Sequence, residues 1–331
     1  MFPTDQSTAA SSLPTPAAAG TPGFFTGGNP ASGTPATVVD PDWLNMIQQE
    51  LINIVDAGGE TPSKTTYNQV LLAIKALIAQ PQTNLVSGVV GQMRNLVSSL
   101  TAAGTTKTVT ADEVIVESAL GGLRYCLSSL NLTGNLATQM DTGSAPASGF
   151  VAEYLIYNPS AAISSTNPRL LYANATSAVA PSVYGGSNMP AGYTASGLIS
   201  VWPTNGSGQF VIGYQADRWI SIVGVNAITI TSAQATVTPF SIATIVPKNA
   251  RSIAGFGACT NTANPGNNSL FLYSSAQQLG ARQIGANLAS TTGGIPTSIS
   301  RMPLVVAQTL YYTANSNNTF SANFEITDYE I

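Results

Sequence analysis

The sequence predicts a mainly β protein, in which a short N-terminal helical segment is followed by β-sandwich or jelly-roll-like blocks. From about Gly91 onward, short runs of β-branched and aromatic residues alternate with turn signals rich in Gly, Pro and Asn. Before that point the apolar residues follow a helical period instead. Charged residues make up 8% of the chain, against about a quarter in ordinary soluble proteins. Such a composition suits a β-rich surface that is polar but uncharged.

Residues 1–40 are rich in Pro, Gly, Ala, Ser and Thr, which predicts an extended strap. A strap of this kind cannot bury a core of its own, so it becomes ordered only by lying on another surface. Phe24 and Phe25 are its large apolar pair. Two interpretations stay open for this pair, since it could pack on the following helix or anchor the strap in a pocket of a partner.

Residues 41–90 are predicted to form a helical collar. Asp40 is a suitable N-cap, with Pro41 at the first helical position. Gly58 and Gly59 end this first helix. A second helix begins where Thr66 and Gln69 have capping-box spacing and stops before Pro81. The apolar residues of the first helix are Trp43, Leu44, Ile47, Leu51, Ile54 and Val55.

Two helices of this length cannot form a stable domain alone. They therefore require packing partners. Self-association around a threefold axis is the simplest way for copies of the chain to provide them. The low charge of the chain favours the same interpretation, because the centres of protein interfaces are depleted in Lys, Glu and Asp.

Two β blocks are predicted, residues 91–225 and residues 226–331. At the end of the second block, Phe320, Ala322 and Phe324 alternate with polar residues, which is typical of a half-buried strand. The other predicted strands include residues 108–110, 114–116, 125–127, 130–132, 150–157, 169–172, 197–202, 209–214, 219–225, 240–246, 252–257, 270–273 and 304–312.

The composition excludes several function classes. The chain contains no histidine, so a Ser-His-Asp system and a histidine-based metal site are excluded. The net charge is -4 and there is no basic stripe, so nucleic acid is not an expected partner. No apolar run reaches 18 residues, so membrane insertion is not expected.

We expect no cofactor and no metal, and we predict that Cys126 and Cys259 are both buried.

Five segments of the chain carry a resemblance to a known family. They are 20–30 (GTPGFFTGGNP), 34–59 (TPATVVDPDWLNMIQQELINIVDAGG), 61–65 (TPSKT), 140–146 (MDTGSAP) and 183–196 (VYGGSNMPAGYTAS). These segments closely resemble the N-terminal region and the following β domain of tail fibre proteins from tailed bacteriophages and prophages. The resemblance covers most of residues 20–225, whereas the last hundred or so residues resemble such proteins only in their general character.

This resemblance implies an elongated homotrimer that faces the virion with its N-terminus. Its partners would be copies of itself, tail or baseplate proteins and a host surface glycan or protein. The expected location is the virion tail, after synthesis in the bacterial host cytoplasm, since residues 1–6 show no signal-peptide pattern. The implied virion-attachment residues are Phe24, Phe25, Trp43, Leu44 and Ile47.

Enzymatic activity is not expected. Most glycosidases need two carboxylates beside the scissile bond, and Asp217 is the single carboxylate between Glu153 and Glu325. Asp217 and Arg218 are interpreted as a solvated turn pair. A small glycan depolymerase with a second carboxylate from another segment or subunit stays an alternative. So does a purely structural baseplate or collar fibre that links the tail to a separate receptor-binding protein.

The predicted receptor-binding residues lie in the distal block, residues 226–331, taken as the tip domain. Sugar recognition combines an aromatic face with neutral hydrogen-bonding side chains on loops of a rigid scaffold. The candidates of these types are Asn264, Asn267, Asn268, Tyr273, Tyr311, Tyr312, Asn315, Asn317 and Asn318. Further aromatic and amide residues of the first block are Tyr184, Tyr193, Trp202 and Asn205.

Overall fold

A computed structural model describes residues 2–79, 88–261, 266–285, 287–288, 293–317 and 319–331. The chain divides into two compact units, Met1–Leu85 and Val86–Ile331, which are called the helical unit and the β unit below. The prediction of a mainly β protein with a short N-terminal helical segment is confirmed.

The helical unit contains α1 (Pro41–Ala57) and α2 (Gln69–Ala79). The Asp40 carboxylate caps α1 by accepting the Trp43 N–H at 2.8 Å. After α1, Gly58 lies against α2 so closely that a Cβ at this position would be 2.5 Å from the Cβ of Ala73. Glycine at position 58 therefore lets the two helices meet there.

The strap lies along the first helix of its own unit. The Thr4 N–H donates to Gln48 Oε1 at 2.8 Å, and the Ala17 N–H donates to Asp42 Oδ2 at 2.8 Å. Residues 29–34 form a tight turn that contains a short 3-10 helix, Pro30–Ser32. The described part of the strap contributes no buried residue, so it adds no core to the helical unit.

The strands of the β unit alternate with turns throughout. They are β1 (Met93–Arg94), β2 (Val97–Leu100), β3 (Thr106–Glu117), β4 (Arg124–Asn135), β5 (Phe150–Tyr157), β6 (Arg169–Asn174), β7 (Ala195–Pro203), β8 (Gly213–Ala216), β9 (Trp219–Ile230), β10 (Gln234–Ser241), β11 (Ser252–Asn261), β12 (Gly266–Asn267), β13 (Ser269–Tyr273), β14 (Arg282–Ile284), β15 (Asn287–Leu288), β16 (Gly293–Pro303), β17 (Thr309–Asn315) and β18 (Phe320–Glu330).

Most of these strands belong to one antiparallel sheet. Its hydrogen-bonded order is β16-β11-β18-β9-β8-β2-β3-β7-β5-β6, and β1 and β4 also pair with β3. A four-stranded sheet has the order β10-β17-β13-β14, and β12 pairs with β15. Leu270 and Ile284 of the four-stranded sheet join a hydrophobic core that also contains Phe324 of β18. The two sheets thus pack as layers around a common core.

The two predicted β blocks share this large sheet. The predicted division between residues 225 and 226 falls inside β9, which continues to Ile230. The last strand, β18, lies between β11 and β9. The Tyr329 hydroxyl of β18 donates to the carbonyl of Val201 in β7 at 2.7 Å. The last strand therefore also contacts the first predicted block.

The two cysteines differ in exposure. Cys259 is 3% exposed and belongs to the core, as predicted. Cys126 is exposed, so the prediction that it is buried was wrong. It lies on β4, where the neighbouring residue Leu127 is buried, and alternation along the strand turns Cys126 to the other face.

Candidate functional site

Both side chains of the predicted attachment pair are exposed, but Phe25, at 52%, also packs on the following helix. Phe24 is fully exposed at 100%. Phe25 contacts Trp43 edge to face, with ring centroids 4.9 Å apart. The contact of Phe25 agrees with the interpretation that the pair packs on the following helix, while the anchoring of the strap in a partner stays a prediction.

Much of the apolar surface of the two helices is uncovered. Leu44 is 53% exposed and Ile47 is half-buried. Within the described part of the helical unit, the buried apolar residues are Ile52, Val55 and Ala73. The exposed large apolar residues on or beside the helices are Trp43, Leu44, Met46, Tyr67, Leu71, Leu72 and Ile74; this set is called the apolar helical surface.

The predicted receptor residues do not meet at one place. The Asn group lies where β13 begins and β17 ends: the Asn267 N–H donates to Asn317 Oδ1 at 2.9 Å, and Asn315 pairs with Ser269. Asn267, Asn315 and Asn317 are exposed, whereas Asn268 is 1% exposed and accepts a hydrogen bond from Ser316. Asn264 and Asn318 lie outside the described residues.

The tyrosines lie toward the opposite end of the same pair of strands. Tyr273 pairs with Tyr311, four positions along the ladder from the pairing of Ser269 with Asn315, which is roughly 13 Å at the usual rise of a strand. Tyr273 is 7% exposed and shares a hydrogen bond with Thr313. Tyr312 packs edge to face on Phe240. The rings of Tyr273 and Tyr312 thus pack within the β unit. The pairing of Tyr273 with Tyr311 lies too far along the ladder for these tyrosines to form one site with the Asn group.

The aromatic residues proposed for the first block are mostly core. Trp202 is fully buried and Tyr184 is 9% exposed. The Tyr193 ring lies 5.2 Å from the Arg169 guanidinium carbon. Asn205 fixes a turn, because its Oδ1 accepts the N–H groups of Ser207 and Gln209.

Sequence reasoning missed a groove in the β unit where cations from distant segments converge. Two adjoining cavities of about 420 and 740 Å³ share Ser182, Arg218, Arg251 and Ile331 in their walls. Lys248 lines the first cavity and Arg301 lines the second. The combined space is called the arginine groove. Small-molecule sites typically measure about 300–1,000 Å³, so either cavity is large enough for a sugar unit.

Strand order creates this groove. Arg218 lies in the turn between β8 and β9, Arg251 immediately precedes β11, and Arg301 lies near the end of β16. Strand β18 binds both β9 and β11, while β16 pairs with the far edge of β11. The three arginines therefore meet at one end of the sheet, and no local motif could have indicated their proximity.

Part of the positive charge in the groove lacks an acidic partner. The Arg218 guanidinium donates to the carbonyl of Gly91 at 2.6 Å, and Lys248 Nζ donates to the carbonyl of Ser177 at 2.6 Å. Both acceptors are neutral. Burial and the like charge of Arg251 lower the pKa of Arg218. Arg218 and Arg251 both line the two cavities, so their positive charges face the same space.

The acidic groups of the groove are already engaged. Arg301 forms a two-pronged ion pair with Glu330, whose carboxylate also accepts a hydrogen bond from Ser252 at 2.8 Å. The hydrogen bond from Arg301 is the largest cause of the lowered pKa of Glu330. The Asp217 carboxylate accepts the Leu96 N–H at 2.8 Å, so Asp217 fixes a backbone junction and is not a solvated turn residue.

Within the described ranges, no three acidic or cysteine residues cluster in a way that could hold a metal ion. No helix among those residues is both long and apolar enough to cross a membrane.

Comparisons with known proteins give one short similarity in sequence. No family model matches the chain. The uncharacterized protein StfP of Escherichia coli (strain K12) is 46% identical over 54 residues, which are 16% of this chain. The matched segment covers 26% of the length of that relative.

Among solved structures, the chain has a low-level similarity to structures of infectious bursal disease virus. The VP2 subviral particle of infectious bursal disease virus has a TM-score of 0.21 and 10% identity, covering 74% of this chain and 70% of that chain. The Gx strain of the same virus gives a TM-score of 0.23 and 13% identity, with coverages of 78% and 77%. Similarities this low carry no argument about the fold or function of this chain.

Proposed function

We propose that this chain is a fibre-like tail protein of a bacteriophage or prophage. Its helical unit joins copies of the chain and docks on a tail or baseplate protein, and its β unit binds a host surface receptor. The apolar helical surface carries the proposal, because a folded unit that leaves Leu44 53% and Leu71 52% exposed presents a surface suited to a protein partner. The resemblance of residues 20–225 to tail fibres supports the same assignment.

The two parts of the helical unit fit two contacts. Helices α1 and α2 offer apolar side chains to equivalent helices around a threefold axis. The strap, with Phe24 fully exposed, offers a separate aromatic anchor to a tail protein. A trimer would also present three β units to the cell, so weak sites would bind by avidity.

The proposed role of the β unit is binding without catalysis. The carboxylate of Asp217, the acidic residue considered for glycan cleavage, accepts a backbone N–H. A purely structural linking fibre would use the same apolar helical surface, but it has no need for a groove with cations that lack acidic partners. The arginine groove therefore favours a receptor-binding role over the structural one.

The mass of the full-length chain in solution tests the assembly. Light scattering should give a threefold mass, and unheated samples on SDS gels should migrate as trimers. Leu44→Glu should dissociate the assembly, because it places a charge in the apolar helical surface. Val223→Glu is the matched control, since Val223 is 65% exposed but lies in the β unit. A monomeric wild-type chain would contradict the proposal.

Deletion of residues 1–40 tests the division of roles. The truncated chain should stay trimeric and bind host cells, while it no longer joins virions. Loss of cell binding in a folded, trimeric truncation would place the receptor site in the strap and overturn the assignment to the β unit.

A further inference from the structure

We propose that the arginine groove binds a saccharide that carries a carboxylate or phosphate group, with Arg251 and Arg218 as its cationic contacts. The saccharide class rests on the proposed function, whereas the anionic group is inferred from the groove itself. Nothing in the sequence patterns indicated this site.

The first argument is charge distribution. The chain has 11 Lys and Arg against 15 Asp and Glu, with a net charge of -4. Nevertheless, Arg218, Lys248, Arg251 and Arg301 all line the two adjoining cavities, and the acidic residues among their lining are Asp217 and Glu330. An acidic protein thus contains a local excess of cations, which favours an anionic ligand.

The second argument is the availability of hydrogen-bond donors. Arg301 is occupied by Glu330, and Lys248 by the carbonyl of Ser177. Arg218 uses one nitrogen on the carbonyl of Gly91. Arg251 is exposed, and its side chain makes no hydrogen bond with the described residues, although its charge helps to lower the pKa of Glu330. Arginine donors are suited to the two oxygens of a carboxylate or phosphate.

The third argument is the relation between Arg218 and Arg251. Both residues line each of the two cavities, so an anion in the shared space would lie beside both guanidinium groups and compensate the charge of each. The neutral side chain of Ser182, together with the apolar side chains of Leu304 and Val305, would contact the remainder of a sugar ring.

Calorimetric titration of the full-length chain tests the proposal with three defined probes. These are a galacturonic acid trisaccharide, glucose 6-phosphate and the neutral trisaccharide maltotriose. We expect at least one anionic probe to bind and maltotriose not to bind. Tighter binding of the galacturonic acid trisaccharide would indicate that the natural ligand carries a carboxylate. Tighter binding of glucose 6-phosphate would indicate a phosphate. Binding should weaken as salt is raised, because the groove is open to solvent.

Arg251→Gln should weaken binding of the anionic probe about tenfold or more, as expected for loss of a charge-assisted hydrogen bond. Arg94→Gln is the matched control, because Arg94 is 71% exposed in the same unit and forms an ion pair with Glu113 at 3.8 Å. It should change affinity less than twofold. Circular dichroism would show that both variants are folded.

Several outcomes would overturn the inference. These are equal binding of maltotriose, no binding of any probe at millimolar concentration, or unchanged affinity in Arg251→Gln. If a single-stranded oligonucleotide binds more tightly than the anionic saccharides, and this binding is lost in Arg251→Gln, the ligand of the groove is a nucleic acid and the inference of a saccharide is wrong. Binding of whole cells separates this inference from the proposed function: if Arg251→Gln loses the probe but still binds cells, the groove is a ligand site and the receptor site lies elsewhere.

Discussion

Lys107 and Glu153 form an ion pair sealed inside the β unit, with Nζ 2.6 Å from Oε2 and both side chains at most 1% exposed. The Tyr172 hydroxyl donates to the other carboxylate oxygen at 2.9 Å. Lys107 Nζ also lies 4.3 Å from the centre of the Trp202 ring. Burial lowers the pKa of Lys107, while the charge of Glu153 opposes that shift. The pair links β3 with β5, which are separated by β7 in the sheet order.

Removal of one partner of this pair should destabilise the β unit strongly. Lys107→Met leaves the Glu153 carboxylate buried without its counter-ion, and such changes typically cost about 3–5 kcal/mol. The free energy of unfolding in urea measures the effect. Arg94→Gln, which breaks the exposed pair with Glu113, should cost at most about 1 kcal/mol. Similar costs for the two variants would show that the Lys107–Glu153 pair is not sealed from water.

Local chemistry made much of the fold predictable. The cap at Asp40 and the glycines after Ala57 set the limits of α1, and both signals are short-range. Strand β5 has the limits expected from its apolar run, Phe150–Tyr157. The alternation in β18 was also predicted, because Phe320, Ala322 and Phe324 are buried.

Longer-range effects account for the differences. Two short strands predicted at residues 108–110 and 114–116 are one strand, Thr106–Glu117. The intervening Asp112 and Glu113 are exposed, so their charges stay outside the core, and the pairing with β4 resumes in the same register at Glu113 and Ser128. The strand predicted at residues 209–214 begins only at Gly213, because the Asn205 turn holds the N–H of Gln209.

The candidate site was less predictable than the fold. The Asn and Tyr candidates were grouped by composition, but the pairing of β13 with β17 places them at separate ends. Arg218, Arg251 and Arg301 are far apart in sequence and meet only through the strand order. Composition indicates which chemistry a chain contains, whereas the register of long-range strands determines which side chains share a site.

Tyr184 should titrate late in alkaline solution. Its burial, its hydrogen bond to Asp141 at 3.0 Å and the charge of that carboxylate raise its pKa to about 12. A phenol with a higher pKa in the folded state gives stability that is complete below about pH 10, the unfolded value. This stability is lost as the pH rises to about 12.

Absorbance at the phenolate band measures this titration. Subtracting the curve of Tyr184→Phe from that of the wild type should isolate a transition near pH 12. Asp141→Asn keeps the burial but removes the negative charge, so the transition should move toward pH 10. A wild-type transition already at pH 10 would contradict both the burial of Tyr184 and its hydrogen bond to Asp141, whereas an unchanged transition in Asp141→Asn would contradict the contribution of Asp141 alone.

The two thiols should react at different rates. Cys126 is exposed and Cys259 is buried, so a disulfide-exchange reagent should modify one thiol in the native chain and both in denaturant. Although Cys126 is exposed, partial desolvation of its thiol and the negative charge of Glu113 raise its pKa, so the native reaction should accelerate above neutral pH as thiolate forms. Cys126→Ser should abolish the native reaction, whereas Cys259→Ser should preserve it. Reaction of both thiols in the folded chain would contradict the burial of Cys259.

Asp217 should matter for stability through its backbone contacts. It has a φ of 50°, in the left-handed region that Asp and Asn tolerate better than Ala. Its Oδ1 accepts the Leu96 N–H, and its own N–H donates to the Leu96 carbonyl at 2.8 Å. Asp217→Ala should therefore destabilise the β unit by about 1–3 kcal/mol, because it leaves the Leu96 N–H without its acceptor.

Asp217→Asn separates this structural role from catalysis. The amide oxygen still accepts the Leu96 N–H and Asn tolerates the left-handed backbone, so stability should stay within about 1 kcal/mol of the wild type. A hydrolytic role needs an ionisable carboxylate, so Asn would abolish glycan release as completely as Ala. Urea unfolding and a glycan-release assay on both variants distinguish the two roles. Glycan release by the wild type, lost in the fully stable Asn variant, would establish Asp217 as a catalytic acid or base and overturn the non-enzymatic proposal.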